Sequence, residues 1–260
     1  MKAPGLTRSP INLRALTTAR VALDRTGCSI TTRHALELSL AHAQARDAVH
    51  ASLAAGSLIT AFRERQIKAV SVRSAASDRT EYLRRPDLGR TLDNSSATHL
   101  RLARESNDGT AITFIVADGL SALAAEHHAL PLLDALFPML SVPGAAAASQ
   151  QSWRMTPIVV AEQARVALGD EIGAALDADI TVMLIGERPG LSSPDSLGAY
   201  ITWKPQPGRT DAERNCVSNI RTEGLGYAAA AAKIAWYITQ GCRLGLTGVA
   251  LRESDATLLP

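Results

Sequence analysis

Two apolar runs constrain the fold of this chain more than any other feature. AITFIVA (111–117) and ITVMLIG (180–186) show no alternation between polar and apolar residues. Such runs are typical of strands buried on both faces, as found in parallel sheets that carry helices on each side. The chain is therefore predicted to be an α/β protein with a mostly parallel, Rossmann-like sheet flanked by helices.

Further elements alternate around these two runs. Strands are predicted at 67–73, PIVVAEQ (157–163) and GAYITWK (198–204), and a helix at 227–243. The N-terminal part is predicted to be helical, because residues 33–55 carry apolar side chains at helical spacing after Thr32, its expected N-cap.

The expected domains follow from this alternation. Residues 1–60 are predicted to form a helical segment, and residues 61–260 an α/β domain. The stretch SVPGAAAASQQS (141–152) consists of small and uncharged residues interrupted by Pro and Gly. Such a composition is typical of linkers, so it predicts a sub-boundary inside the α/β domain.

The charge balance and the cysteines exclude several classes of protein. Lys and Arg number 27 against 25 Asp and Glu, a formal net charge of +2, which lacks the basic excess of a nucleic-acid-binding protein. No run approaches the ~18 uninterrupted apolar residues of a membrane span. Cys28, Cys216 and Cys242 form no close pair, so we expect no metal ribbon, no disulfide framework and a reducing, cytoplasmic location.

Polar residues follow both apolar strands at the edge where open α/β sheets bind ligands. Asp118 to Ser121 follow the first strand, and Glu187 and Arg188 follow the second. The Glu187 and Arg188 side chains have no core to join there. They therefore meet water, each other or a ligand, and the spacing leaves a local Glu187–Arg188 turn contact open as an alternative.

Familiar catalytic motifs are incomplete in this sequence. Residues 224–229 fit the pattern G-x-G-x-x-A, but the preceding segment is polar and no acidic residue follows about 20 positions later to hold a ribose. Leu123 stands where a nucleophile elbow needs its second glycine. The adjacent His127 and His128 indicate a solvated helix edge more than a catalytic triad. We therefore predict no catalytic residue and no metal ligand, with a stand-alone NAD-binding oxidoreductase as an alternative.

Six segments resemble one family of enzyme subunits. They are ARDAVHASL (45–53), YLRRPDLGRTLD (82–93), IVADGLSALA (115–124), RVALGDEIG (165–173), LIGERPGLSSPDSLGAYITW (184–203) and RTDAERNCVSNIRTEGL (209–225). These segments are similar to the small subunits of ethanolamine ammonia-lyase, and the similarity runs from about Asn12 to about Arg252.

The resemblance implies a non-catalytic subunit of an adenosylcobalamin-dependent lyase that converts ethanolamine to acetaldehyde and ammonia. In that family the radical chemistry takes place in the TIM barrel of a separate large subunit. The small subunit closes the cobalamin site from the other side, and the heterodimers repeat in a hetero-oligomer. The complex is expected in the cytoplasm or within a bacterial microcompartment, and a microcompartment scaffold protein is the remaining alternative.

The family pattern also implies three cofactor-binding positions within residues 61–260. Val166, in RVALGD, is expected to contact adenosylcobalamin through its backbone and methyl groups. Glu187, in GERPGL, is expected to accept hydrogen bonds from the amide side chains of the cofactor. Cys216, in RNCVSNI, is expected to pack a small sulfur against its edge.

Overall fold

The two apolar runs form neighbouring strands at the centre of a seven-stranded sheet. The computed structural model describes residues 13–17, 19–104, 109–141 and 153–253. The sheet strands are β3 (Ala69–Arg73), β4 (Thr110–Ala117), β5 (Trp153–Met155), β6 (Ile158–Glu162), β7 (Ile180–Gly186), β8 (Leu197–Trp203) and β9 (Arg214–Ile220), and a separate hairpin joins β1 (Arg25–Thr26) to β2 (Ser29–Ile30).

The sheet is mixed but mostly parallel. The strand order is β3-β6-β4-β7-β8-β9. The short β5, which precedes β6 in the chain, pairs with the first residues of β4. The pairings β3–β6, β6–β4, β4–β7 and β4–β5 are parallel. The pairings β7–β8 and β8–β9 are antiparallel, because residues 187–196 join β7 to β8 without the helix that a parallel crossover needs.

Helices cover both faces of this sheet. The sheet separates two apolar clusters, one on each face. The helices are α1 (Thr32–His50), α2 (Ala55–Glu64), α3 (Arg79–Arg84), α4 (Asn94–Leu102), α5 (Ala122–Ser141), α6 (Leu168–Leu176) and α7 (Tyr227–Leu244). Apolar residues of α2, α5 and α7 pack on one face, and those of α4 and α6 pack on the other. Of the helices in the described ranges, none is long and apolar enough to cross a membrane.

This architecture confirms the α/β class and the mostly parallel sheet. The Rossmann-like detail is not confirmed, since the strand order differs from the 3-2-1-4-5-6 order of the doubly wound nucleotide-binding fold. The segment CVSNIRTE (216–223), interpreted from sequence as too short and polar for the buried strand of a dinucleotide site, overlaps β9, which was not predicted as a strand. Its Val217 and Ile220 are buried in the cluster beneath α7, while Cys216 and Ser218 are exposed on the opposite face.

The N-terminal part contains α1 (Thr32–His50), whose bounds differ from the predicted helix at 33–55. The N-cap of α1 is Thr31, not Thr32, and its side chain makes no capping hydrogen bond. The expected domain boundary at residue 60 falls inside α2, whose Leu58 and Phe62 are buried in the main core. Residues 142–152 lie outside the described part of the chain, so the sub-boundary stays a prediction, as does the division into domains.

Residues 248–251 cover the start of β9. A 3₁₀ turn at Gly248–Ala250 is held by the Asn215 side chain, whose Nδ2 donates to the carbonyls of Gly248 and Leu251 at 3.1 and 2.9 Å. The Gly248 N–H donates in return to Asn215 Oδ1 at 2.8 Å. Gly248 has a φ of +87° and approaches the backbone of Ala212 so closely that a Cβ would lie 2.1 Å from its carbonyl oxygen. The turn is therefore fixed against the sheet edge.

Candidate functional site

The turn after β4 positions the start of the loop after β7. Gly119 has a φ of +52°, and a Cβ there would lie 2.2 Å from the Gly186 carbonyl oxygen, so only glycine allows this approach. The Leu120 N–H donates to that same carbonyl at 2.9 Å. Ser121 Oγ donates to the Pro194 carbonyl at 2.8 Å. The turn at 118–121 thus holds both ends of the 187–196 loop.

Asp118 is part of the buried framework behind this loop. Its side chain is 1% exposed, forms an ion pair with Arg79 at 3.1 Å, and accepts the backbone N–H groups of Gln163 and Ala164 at 2.9 Å each. Burial raises the pKa of the Asp118 carboxyl, and the Arg79 charge and the two N–H groups oppose that shift. Asp118 therefore fixes the loop after β6 to the end of β4 and does not face a ligand.

Glu187 is the first residue after β7 and is half-buried. Its carboxylate accepts hydrogen bonds from Ser196 Oγ and from the Asn219 N–H, the latter at 3.2 Å to Oε2. The Glu187 N–H donates to the Ser196 carbonyl at 2.9 Å. An ionised carboxylate offers about four acceptor sites, so this side chain is held in place and still has acceptor capacity for a ligand.

Cys216 lies beside Glu187 on the exposed part of the sheet face. It pairs in register with Tyr200 of β8, which is half-buried and pairs in turn with Met183 of β7. Desolvation by its neighbours raises the pKa of the Cys216 thiol, the hydrogen bond with Tyr200 opposes this, and the Glu187 charge adds to the increase. The raised pKa keeps the thiol mostly protonated at neutral pH, which makes it a weak nucleophile.

Val166 lines a cleft of about 720 Å³ on the same face of the sheet. Tyr200 also lines this cleft, so the tyrosine connects the surroundings of Val166 to those of Cys216. Four arginines line it as well: Arg90, Arg165, Arg209 and Arg214. The Arg165 guanidinium stacks on Tyr82, with its Cζ 4.3 Å from the ring centroid. Its Nε is buried and makes no hydrogen bond within the described part of the chain.

The floor of this cleft is held by a buried ion pair between α6 and β9. Arg214 Nη1 and Nη2 donate to the two carboxylate oxygens of Asp170 at 2.7 and 2.6 Å, and both side chains are 2% exposed. Arg214 also donates to Thr202 Oγ1 and to the Arg209 carbonyl. Burial raises the pKa of Asp170, and its bonds with Arg214 oppose that increase.

Comparison with known proteins identifies the family of the chain. A sequence model described as "Ethanolamine ammonia-lyase light chain" matches residues 9–252. The chain belongs to this family. Two proteins named ethanolamine ammonia-lyase small subunit illustrate the similarity. That of Azotobacter vinelandii is 51% identical, over 93% of this chain and 87% of its own length, and that of Bradyrhizobium diazoefficiens is 49% identical, over 100% and 97%.

Membership of the ethanolamine ammonia-lyase light chain family confirms the resemblance inferred from the six sequence segments and the expected role as a component of an ammonia-lyase. The structure gives the G-x-G-x-x-A pattern of residues 224–229 a role in a turn, without a dinucleotide. The Leu225 N–H donates to the Asn219 carbonyl at 2.7 Å, and a Cβ on Gly224 would lie 2.4 Å from that carbonyl oxygen. Gly224 therefore serves a tight turn after the antiparallel strand β9, which is not the strand–turn–helix of a dinucleotide site.

The structure adds residues that sequence reasoning did not select in this ammonia-lyase family member. Tyr200 and Arg165 line the cleft together with Val166, and Tyr200 also pairs in register with Cys216. Tyr200 could have been found only by recognising β9 and its register with β8. Arg188, which also follows β7, is exposed on the loop. The Asn219 N–H donates to the Glu187 carboxylate, and the Asn219 backbone has a φ of +58°.

Glu213, which lies in the chain between the cleft residues Asp211 and Arg214, is expected to make stability depend on pH. Hydrogen bonds from Thr210 and Arg209 lower the pKa of Glu213 from 4.5 to about 2. A group whose pKa is lower in the folded than in the unfolded chain stabilises the fold at pH values above its unfolded-state pKa. This contribution is lost as the pH falls through its folded-state pKa. The difference in unfolding free energy between wild type and Glu213→Gln should therefore be largest near neutral pH and shrink below pH 4.5. Urea unfolding across this range, with exposed Glu64→Gln as control, measures it; a difference independent of pH would contradict the assignment.

Proposed function

We propose that this chain closes an adenosylcobalamin site against the large subunit of ethanolamine ammonia-lyase and contributes no catalytic residue itself. The observation that carries the proposal is the match of residues 9–252 to the light chain family. The positions of Val166, Glu187 and Cys216 support it, because all three lie along one side of the sheet with Tyr200 between them.

The residues on this side of the sheet suit the chemistry of the cofactor. Cobalamin is a large ligand with amide side chains and one phosphodiester, which needs acceptors for N–H groups, cationic donors and apolar contact. Glu187 offers the acceptor, Val166 the apolar contact, and the cleft offers the guanidinium of Arg165 with an Nε that lacks a hydrogen bond in the described structure. When bound, adenosylcobalamin supplies the radical that starts the reaction, by homolysis of its cobalt–carbon bond.

Each of the three residues has a binding role that follows from its surroundings. Glu187 is fixed by Ser196 and Asn219, so little side-chain entropy is lost when its carboxylate accepts an amide N–H. Val166 presents methyl groups at the start of the segment that leads into α6. Cys216 presents a neutral thiol, because its pKa is raised, and avoids the desolvation cost of a thiolate.

The partner in this proposal is a large subunit with a TIM barrel, which holds the substrate and the reacting atoms. Repeated heterodimers would form a hetero-oligomer in the cytoplasm or within a bacterial microcompartment. The exposed side chains of Cys216 and Ser218 on β9 face the side of the sheet that the large subunit would cover.

The proposed division of labour is tested by reconstitution. A large subunit of ethanolamine ammonia-lyase is purified alone and also co-expressed with this chain, and acetaldehyde formation from ethanolamine is measured with adenosylcobalamin. We expect activity only when both chains are present, since each contributes one side of the cofactor site. Activity of this chain alone, full activity of the large subunit alone, or association of this chain only with shell proteins of a microcompartment would overturn the proposal. NAD(H) binding by this chain without any effect of adenosylcobalamin would favour the oxidoreductase alternative.

A further inference from the structure

Two histidines of α5 approach an aspartate of the 187–196 loop, and none of these three residues is among the expected cofactor-binding positions. His127 Nδ1 lies 3.5 Å from Asp195 Oδ2, and His128 Nε2 lies 3.3 Å from the same oxygen. One ligand atom from each of the three residues lies within 4.8 Å of the others. Asp195 is 68 positions from His127 along the chain, so no short sequence motif reveals this cluster.

His128 is oriented as a metal-binding histidine would be. Its side chain is 7% exposed, and its Nδ1 lies 2.8 Å from the Tyr227 hydroxyl. Its Nε2 is buried and makes no hydrogen bond among the described residues, although it points toward Asp195. Metal-binding histidines usually donate the N–H of one ring nitrogen to a neighbour, which leaves the lone pair of the other for the ion. The Tyr227 hydroxyl is placed to accept that N–H.

The distances suit a tetrahedral ion. Zinc–nitrogen and zinc–oxygen bonds of about 2.0–2.2 Å place neighbouring ligand atoms about 3.3–3.5 Å apart. The two separations to Asp195 Oδ2, 3.5 and 3.3 Å, match this spacing. The third separation, between ligand atoms of the two histidines, is at most 4.8 Å. His127 is exposed, with 57% of its side chain accessible, so a small adjustment of its ring toward His128 meets no packed core.

We propose that His127, His128 and Asp195 bind a divalent transition metal ion of the zinc class. Two imidazoles and one carboxylate form a set of borderline ligands that suits zinc, cobalt or nickel more than magnesium or calcium. Three protein ligands leave the fourth position to water or to a group from a partner. The ion would connect α5 to the loop whose first residue is Glu187, and thereby restrict the motion of that loop.

Cobalt titration of the full chain tests the site directly. Co²⁺ is added to the untagged 260-residue protein at about pH 7.5, where imidazole is largely neutral. We expect intense visible d–d absorption, typical of four-coordinate cobalt, that saturates at one ion per chain and is removed by Zn²⁺. His127→Gln should abolish this absorption without harming the fold, because His127 is exposed. His99→Gln, a change at another exposed helical histidine, should leave it intact.

Two further variants separate metal binding from other causes. Asp195→Asn should also abolish the absorption, and Tyr227→Phe should weaken cobalt affinity by about 10- to 100-fold, as removal of such supporting partners commonly does. Unchanged absorption in His127→Gln, or charge-transfer bands of a cysteine thiolate, would show that the ion binds elsewhere. Absence of any absorption in the wild-type chain, with zinc failing to raise its melting temperature, would also overturn the proposal.

Discussion

Arg214→Met is expected to lower the free energy of unfolding by about 3–5 kcal/mol, because it leaves the Asp170 carboxylate buried without its partner. The two side chains are 2% exposed and joined by two hydrogen bonds of 2.7 and 2.6 Å. The carboxyl of the variant would titrate at a higher pKa than in the unfolded chain. The free energy of unfolding of the variant would then be highest at acidic pH, where the Asp170 carboxyl is protonated. It would fall as the pH rises through the folded-state pKa of that carboxyl. Urea unfolding at several pH values measures both effects.

Two controls separate the unpaired charge from lost packing. The double variant Arg214→Met with Asp170→Leu removes both charges and should recover most of the lost stability, since buried ion pairs replaced by apolar residues are often neutral. Arg104→Met breaks an exposed pair with Asp177, whose side chains are 52% and 64% exposed, and should cost no more than about 1 kcal/mol. If Arg214→Met were as mild as Arg104→Met, the buried pair would not have the importance assigned to it.

Glu187→Ala is expected to weaken adenosylcobalamin binding by the complex about 10- to 100-fold, which corresponds to the ~1.5–3 kcal/mol of a charge-assisted hydrogen bond. The measurement is cofactor titration of the complex of this chain with its large subunit. Glu187→Gln should lose less, because an amide still accepts one hydrogen bond. Glu223→Ala, which removes an exposed carboxylate on the nearby turn, should leave affinity unchanged.

A second measurement on Glu187→Ala needs no cofactor. The Glu187 charge helps to raise the pKa of the Cys216 thiol, so its removal should lower that pKa and speed alkylation of Cys216 at neutral pH. Faster alkylation with unchanged cofactor affinity would place Glu187 beside Cys216 but outside the cofactor site. Unchanged values in both measurements would contradict the geometry as well as the proposed role.

The central strands could be predicted because burial on both faces leaves a signal in the sequence itself. ITVMLIG matches β7 residue for residue, and β4 extends the expected strand by Thr110 alone. β9 could not be recognised in the same way, since only one of its faces is covered and its exposed Cys216 and Ser218 make it read as polar. The antiparallel direction of β8 could have been predicted from the sequence, because no helix separates β7 from β8.

The candidate site was less accessible to sequence reasoning than the fold. The end of β7 correctly indicated where Glu187 enters a loop, because strand ends follow from strand assignment. Val166 and Cys216 followed only from family resemblance, since one lies before α6 and the other in the strand that was missed. The approach of Asp195 to His128, and of Arg214 to Asp170, depends on contacts between distant segments. Such contacts arise from tertiary packing and leave no local pattern.

The 3₁₀ turn bound by Asn215 has a consequence for how the molecule avoids self-association. The last strand of an open sheet exposes N–H and C=O groups on which a strand of another copy could be templated, and natural proteins commonly shield such borders. Here the chain shields the start of its own border strand with residues 248–251. Growth of the sheet by strand addition at that point would require residues 248–251 to detach from Asn215 first.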